Sequence, residues 1–150
     1  MKLVIQRVSE ASVSISGKVK SSIGPGLLVL LGIAVNDTVE DISWLTRKLS
    51  ELRVFNDKEG VMNISIKDSG GDILVISQFT LLATTKKGNR PSYINAAGAD
   101  HAIPLYQTFL STLETICGKP VYSGEFGADM QVRLLNDGPV TILIDSQRRD

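Results

Sequence analysis

Ser77-Gln78-Phe79-Thr80 places two hydroxyls, a carboxamide and an aromatic ring within four residues, directly after the apolar run Ile73 to Ile76. Such a set could hydrogen-bond a polar substrate, face a ring or offer an oxygen nucleophile. A second cluster, Asn136-Asp137-Gly138-Pro139-Val140-Thr141, combines turn formers with a hydroxyl. Each segment also has a plain structural explanation. Polar residues at a strand end can satisfy local backbone groups, and Asn136 to Pro139 reads as a tight hairpin turn. In such a turn a trans Gly-Pro bond is the statistical expectation, because only about 5–6% of X-Pro bonds in folded proteins are cis.

Several standard chemistries are missing from the chain. It has no G-x-S-x-G elbow, and its only histidine, His101, follows Asp100 near an expected helix start, where a solvated surface position is the commoner case. One His and one Cys, Cys117, leave a zinc site dependent on carboxylates. Neither a metal nor a cofactor is therefore expected. The phosphate-cradling patterns G-x-x-x-x-G-K-[ST] and G-x-G-x-x-G do not occur. Gly88-Asn89-Arg90-Pro91-Ser92, preceded by Lys86 and Lys87, forms a short basic loop that could meet phosphates or be simply solvated.

The elements that must position these residues follow from hydrophobic periodicity. Leu3 to Val8 and the alternating Ser12 to Ser16 are two strand candidates, forming a hairpin or meander. Leu27 to Leu31, after the turn Gly24-Pro25-Gly26, is a continuous apolar run and so a central strand covered on both faces. Asp37 with Glu40 has the form of a capping box, and the stripe Val39, Ile42, Leu45, Leu49, Leu52 predicts a helix from about Thr38 to Leu52. A second stripe, Leu105, Phe109, Leu113 and Ile116, stops at Gly118 with Pro120 beyond, and Pro104 lies near its start or kinks it. Ile73 to Ile76 reads as a buried strand; Val132 to Leu135 and Val140 to Ile144 read as two strands joined by the turn. The order implies an α+β fold with two main helices and a mixed, mostly antiparallel sheet, curled toward a barrel.

At 150 residues and 43% hydrophobic the chain can bury a core as one domain, 1–150. Sixteen basic residues balance sixteen acidic ones, so contact with nucleic acid must be local. The lone cysteine fits a reducing compartment, and the N-terminal apolar run is broken by Gln6 and Arg7, too early for a signal-peptide core. No run approaches the length of a membrane span. A cytoplasmic address and no membrane partner are expected.

Six segments in order carry a family resemblance: Gln6-Arg7-Val8, Ile23 to Leu30, Ser77 to Thr80, Gly88 to Ser92, Gly127-Ala128-Asp129-Met130-Gln131-Val132 and Asn136 to Thr141. Together they resemble the D-aminoacyl-tRNA deacylases, also called D-tyrosyl-tRNA deacylases, over nearly the whole chain. The resemblance implies a homodimer that hydrolyses the ester between a D-amino acid and the 3′-terminal adenosine of tRNA. It assigns the pocket to Ser77, Gln78, Phe79 and Thr80. Gly138-Pro139 becomes a cis peptide inserted into the partner's pocket to reject L-amino acids. Arg7 braces that element, with Asn136, Val140, Thr141 and Met130 in support. Glycyl-tRNA mischarged on tRNA-Ala is expected as a further substrate, since glycine has no side chain to reject.

With no side-chain base in view, backbone N–H groups around Phe79 and Thr80 can bind the carbonyl oxygen while the vicinal ribose hydroxyl helps to activate water. Thr80 as a covalent nucleophile stays open. Two other readings remain: a non-catalytic RNA- or metabolite-binding module, and a hydrolase of other small esters or amides.

Overall fold

A computed structural model of the protein describes residues 1–149. In chain order the elements are β1 (Lys2–Ile15), β2 (Lys18–Ile23), β3 (Gly26–Gly32), α1 (Val39–Glu51), β4 (Arg53–Asn56), β5 (Met62–Ser65), α2 (Ile66–Ser69), β6 (Asp72–Ser77), a 3-10 turn (Phe79–Leu82), α3 (Ala99–Cys117), β7 (Tyr122–Ser123) and β8 (Gln131–Asp145).

β1 is the spine. The two strand candidates at its ends are one continuous 14-residue strand, contrary to the expectation of a separate pair. Register irregularities between Gln6 and Val8 and between Val8 and Glu10 change which residues turn inward without ending the ladder. Leu3 and Ile5 face the core that includes α1 and α3, whereas Val8, Ala11 and Val13 belong to a second apolar cluster with Leu28, Leu74 and Ile76. The hairpin lies further on, where Ser16 (φ 51°) and Gly17 (φ 78°) turn the chain into β2.

β3 is buried along nearly its whole length, as a central strand should be. It lies antiparallel to β1 and parallel to β6, and β6 runs parallel to β7. The resulting order is β2-β1-β3-β6-β7, with β8 on β1. Ser21 Oγ donates to Ser123 O at 2.7 Å, tying β2 to β7 at opposite ends of this order and bringing the mixed sheet close to a barrel. The architecture is the α+β class expected. β4 and β5 form a separate two-stranded sheet that hydrophobic periodicity does not reveal.

Helix α1 begins where expected, but its capping box is shifted by one residue: Thr38 Oγ1 accepts from Glu40 N at 3.3 Å and Asp41 Oδ2 from Thr38 N at 2.9 Å. Asp37 is drawn elsewhere. It is fully buried, and its carboxylate accepts from Ala34 N and from the Met1 ammonium, each at 2.6 Å. Helix α3 buries Leu105, Phe109 and Leu113 and ends at Gly118 (φ 67°), whose N–H reaches Glu114 O at 2.8 Å. Pro104 is accommodated inside α3, where it forfeits the helix bond that an N–H at this position would have given to Asp100 O. Each fully buried Leu, Ile or Phe of this helix-facing core contributes about 1.5–3 kcal/mol.

The C-terminal region departs most from expectation. Val132 to Leu135 and Val140 to Ile144 are not two hairpin strands but parts of one strand, β8, antiparallel to β1 throughout. Asn136 pairs with Val8 and Thr141 with Gln6, so Asp137 to Val140 bulge opposite Arg7 alone. The turn formers eject a bulge instead of reversing the chain, because β1 offers partners on both sides of it. No helix of the described residues is long and apolar enough to cross a membrane.

Candidate active site

The site begins where β6 leaves the sheet. Ser77 is the last paired residue of β6, opposite Leu31, and Gln78 N donates to Leu31 O at 2.7 Å. The chain then tightens into the 3-10 turn, with Leu81 N on Gln78 O at 3.3 Å and Ala83 N on Thr80 O at 3.1 Å. Among the hydrogen bonds of the described residues, the N–H groups of Phe79 and Thr80 have no acceptor. Gln78 Nε2 donates to Thr80 Oγ1, linking the two side chains.

The turn can lie against the end of β3 because residue 32 is glycine. A Cβ there would come within 2.6 Å of Leu82 Cδ2 and 3.0 Å of Gln78 O.

Ser77, Gln78 and Phe79 line a cleft of about 240 Å³. Leu31, Ile33 and Ile76 contribute apolar surface, and Phe126, Gly127, Ala128 and Met130 come in from the segment between β7 and β8. None of the lining residues is ionisable. Such a cavity strengthens hydrogen bonds to developing charge but supplies no side-chain acid or base. Thr80 stands beside the cleft rather than among its lining residues.

The other candidate residues form a second cluster. Arg7, almost completely buried, donates from Nε to Asp137 O at 3.0 Å, and from Nη1 to Val54 O at 2.6 Å and Asn56 Oδ1 at 3.3 Å. Val140 N donates to Asn136 Oδ1, and Asn136 Nδ2 to Thr141 Oγ1, each at 3.0 Å, which closes the neck of the bulge. At its tip Gly138 and Pro139 are exposed, joined by a cis peptide bond. Gly138 has φ 139°, and a Cβ there would lie 2.8 Å from Val140 Cγ2 and 3.1 Å from Arg7 Nη2, so only glycine suits the position. Neither Gly138 nor Pro139 lines the cleft of its own chain.

The structure thus brings Ser77, Gln78, Phe79 and Met130 together at one cavity, with Thr80 beside it, and gathers Arg7, Asn136, Gly138, Pro139, Val140 and Thr141 around a separate projection. Gly32, Phe126, Val54 and Asn56 are further participants that the sequence does not single out. Their roles arise from contacts between segments distant in sequence, and no local pattern marks them.

The family model described as D-Tyr-tRNA(Tyr) deacylase matches residues 4–145, and the chain belongs to that family and is a hydrolase of it. The chain is 60% identical over its full length, and the full length of the relative, to a D-aminoacyl-tRNA deacylase of Flavobacterium psychrophilum, and 58% identical on the same terms to one of Parabacteroides distasonis. A solved structure named c-Myc DNA Unwinding Element Binding Protein superposes with TM-score 0.91 at 42% identity, covering 97% of this chain and 98% of that one. Another, a probable eukaryotic D-amino acid tRNA deacylase, superposes with TM-score 0.82 at 18% identity, covering 95% and 97%, and shares the fold.

Proposed function

We propose that residues 1–150 act as one deacylase domain that hydrolyses the ester of D-aminoacyl-tRNA in the cytoplasm, releasing the D-amino acid and tRNA. The observation that carries the mechanism is the pair of free amides at Phe79 and Thr80 beside a cleft with no ionisable lining. Water attacks the ester carbonyl and the two N–H groups hold the oxyanion. The vicinal ribose hydroxyl relays the water's proton to the departing ribose oxygen. A Thr80→Ala variant that keeps most of its turnover agrees with this route; a trapped acyl-threonine would overturn it.

Stereochemistry is assigned to a second copy of the chain. Gly138-Pro139 is exposed on a braced projection, and among the strands of the described residues β8 pairs with β1 alone, with Leu135 and Leu143 exposed along it. These features support a homodimer in which the projection of one subunit enters the cleft of the other. Backbone oxygens of Gly138 and Pro139 would then occupy the space an L side chain needs. Glycine escapes such rejection, so glycyl-tRNA mischarged on tRNA-Ala is included as a substrate. Leu143→Lys should give a monomer with little activity, read by sedimentation and deacylation together.

A second reading, nucleic-acid binding without hydrolysis, is favoured by the name of the neighbour at 42% identity, which refers to a DNA unwinding element. Matched D- and L-tyrosyl-tRNA separate the two. Release of free D-tyrosine alone is the expected result; no release from either would defeat the deacylase reading.

A further inference from the structure

The segment that follows the 3-10 turn has no part in the mechanism above. Thr84 and Ser92 exchange backbone hydrogen bonds, N to O at 2.8 and 3.0 Å, so the residues between them form a loop closed at its neck. The loop carries Lys86, Lys87 and Arg90, all exposed and none in an ion pair among the described residues. No acidic residue occurs in sequence between Asp72 and Asp100. On a chain whose charges balance, this is a local concentration of positive charge.

Just beyond the neck, Tyr93 meets Phe79 edge to face, with ring centroids 4.9 Å apart and planes at 72°. Phe79 lines the cleft, and the two rings are 55% and 38% exposed, respectively, for Phe79 and Tyr93. An aromatic surface therefore runs from the lip of the cleft to the base of the cationic loop. Aromatic faces for bases beside cations for the backbone are how single-stranded nucleic acids are held without sequence readout.

We infer that this surface binds the single-stranded 3′ end of the tRNA leading to the esterified adenosine, with Tyr93 stacking on a base and Lys86, Lys87 and Arg90 meeting backbone phosphates. The inference rests on the deacylase reading: an ester seated in the cleft is covalently continuous with a strand of phosphates, and the cationic loop is the complementary charge along that path.

The test compares two substrates, D-tyrosyl-tRNA and D-tyrosyl-adenosine, which retains the ester but lacks the preceding phosphates. For the K86A/K87A/R90A variant, kcat/KM on D-tyrosyl-tRNA should fall roughly tenfold or more in moderate salt. The log–log salt dependence should become shallower by about 2, at roughly 0.7 for each phosphate that is no longer neutralised. Turnover of D-tyrosyl-adenosine should be unchanged, which also reports an intact fold. Tyr93→Ala should lose several-fold in kcat/KM on the tRNA alone and Tyr93→Trp should restore it. Replacing Lys18 and Lys20 of the β1–β2 hairpin by Ala should alter neither substrate. Equal losses on both substrates, or no loss on the tRNA, would overturn the inference while leaving the deacylase reading intact. A wild-type protein inactive on D-tyrosyl-tRNA would overturn both.

Discussion

The Nε of Arg7 donates to the backbone oxygen of Asp137 at 3.0 Å, joining the middle of the first strand to the root of a bulge 130 positions away. The same guanidinium spans to the β4–β5 sheet through Val54 O at 2.6 Å, so one side chain fixes three segments that share no local sequence signal. Its charge is almost wholly out of solvent, and its acceptors are mostly backbone oxygens.

Arg7→Ala should accordingly lower stability by about 3 kcal/mol, because it strands buried acceptors. Activity should fall by more than that destabilisation explains, since the Gly138-Pro139 projection loses its brace. Arg7→Lys keeps the charge but not the fork, and should recover part of the stability and little of the activity. Urea unfolding and deacylation of D-tyrosyl-tRNA, measured on both variants, check this.

Gly32→Ala should act on the cleft from behind. The new methyl would meet Leu82 Cδ2 at 2.6 Å and Leu81 Cβ and Gln78 O at 3.0 Å, forcing the 3-10 turn off the sheet. The expected cost is about 1–3 kcal/mol of stability. A larger effect is expected on kcat, roughly tenfold or more, because a displacement of about 1 Å in the proposed oxyanion donors would be costly to catalysis. An unchanged kcat would separate the position of the turn from the chemistry.

At low pH the cap of α1 should weaken. Burial acts to raise the Asp41 carboxyl, but hydrogen bonds with Ser146 and the Thr38 amide, together with the charges of the N-terminal ammonium and Arg149, hold it below its ordinary 3.8. A depressed folded-state value means the carboxylate contributes stability above 3.8, lost as pH falls through the folded value. Asp41→Asn should cost about 1 kcal/mol near neutrality and flatten this acid limb. Thermal midpoints against pH for both proteins provide the check.

The alkaline limb should report Tyr106. Burial pushes its phenol up to about 12, a hydrogen bond with Ser123 pulling the other way, and its hydroxyl donates to Val75 O of β6 at 3.0 Å. A raised folded-state value makes this contribution complete below the ordinary 10.0 and lost as pH climbs to about 12. Tyr106→Phe should cost about 1 kcal/mol at neutral pH and remove that alkaline decline. Denaturant midpoints of both proteins from about pH 8 to the alkaline limit, the range where a phenol titrates, would reveal it.

Much of this architecture was written locally. The apolar run Leu27 to Leu31 specified a central strand, the stripes through Leu45 and Phe109 specified the two long helices, and Gly118 ended the second. Periodicity and capping are short-range preferences, legible wherever a segment's environment is the one its own pattern requires. The capping box slipped by one residue because Asp37 found a buried ammonium that no neighbouring residue announces.

The sequence by itself determined the central strand, the two long helices and the motifs that carry the family likeness. Tertiary structure decided what those motifs do in space. Ser77 to Phe79 open onto a cleft without ionisable groups, a property set by residues from β3, α3 and the segment before β8. Asn136 to Thr141 have the composition of a hairpin turn, yet the chain does not reverse there, because β1 is long enough to pair with both flanks of β8. Turn propensity fixes how a few residues can bend; whether the bend reverses a strand or ejects a bulge depends on the hydrogen-bonding partners waiting on either side.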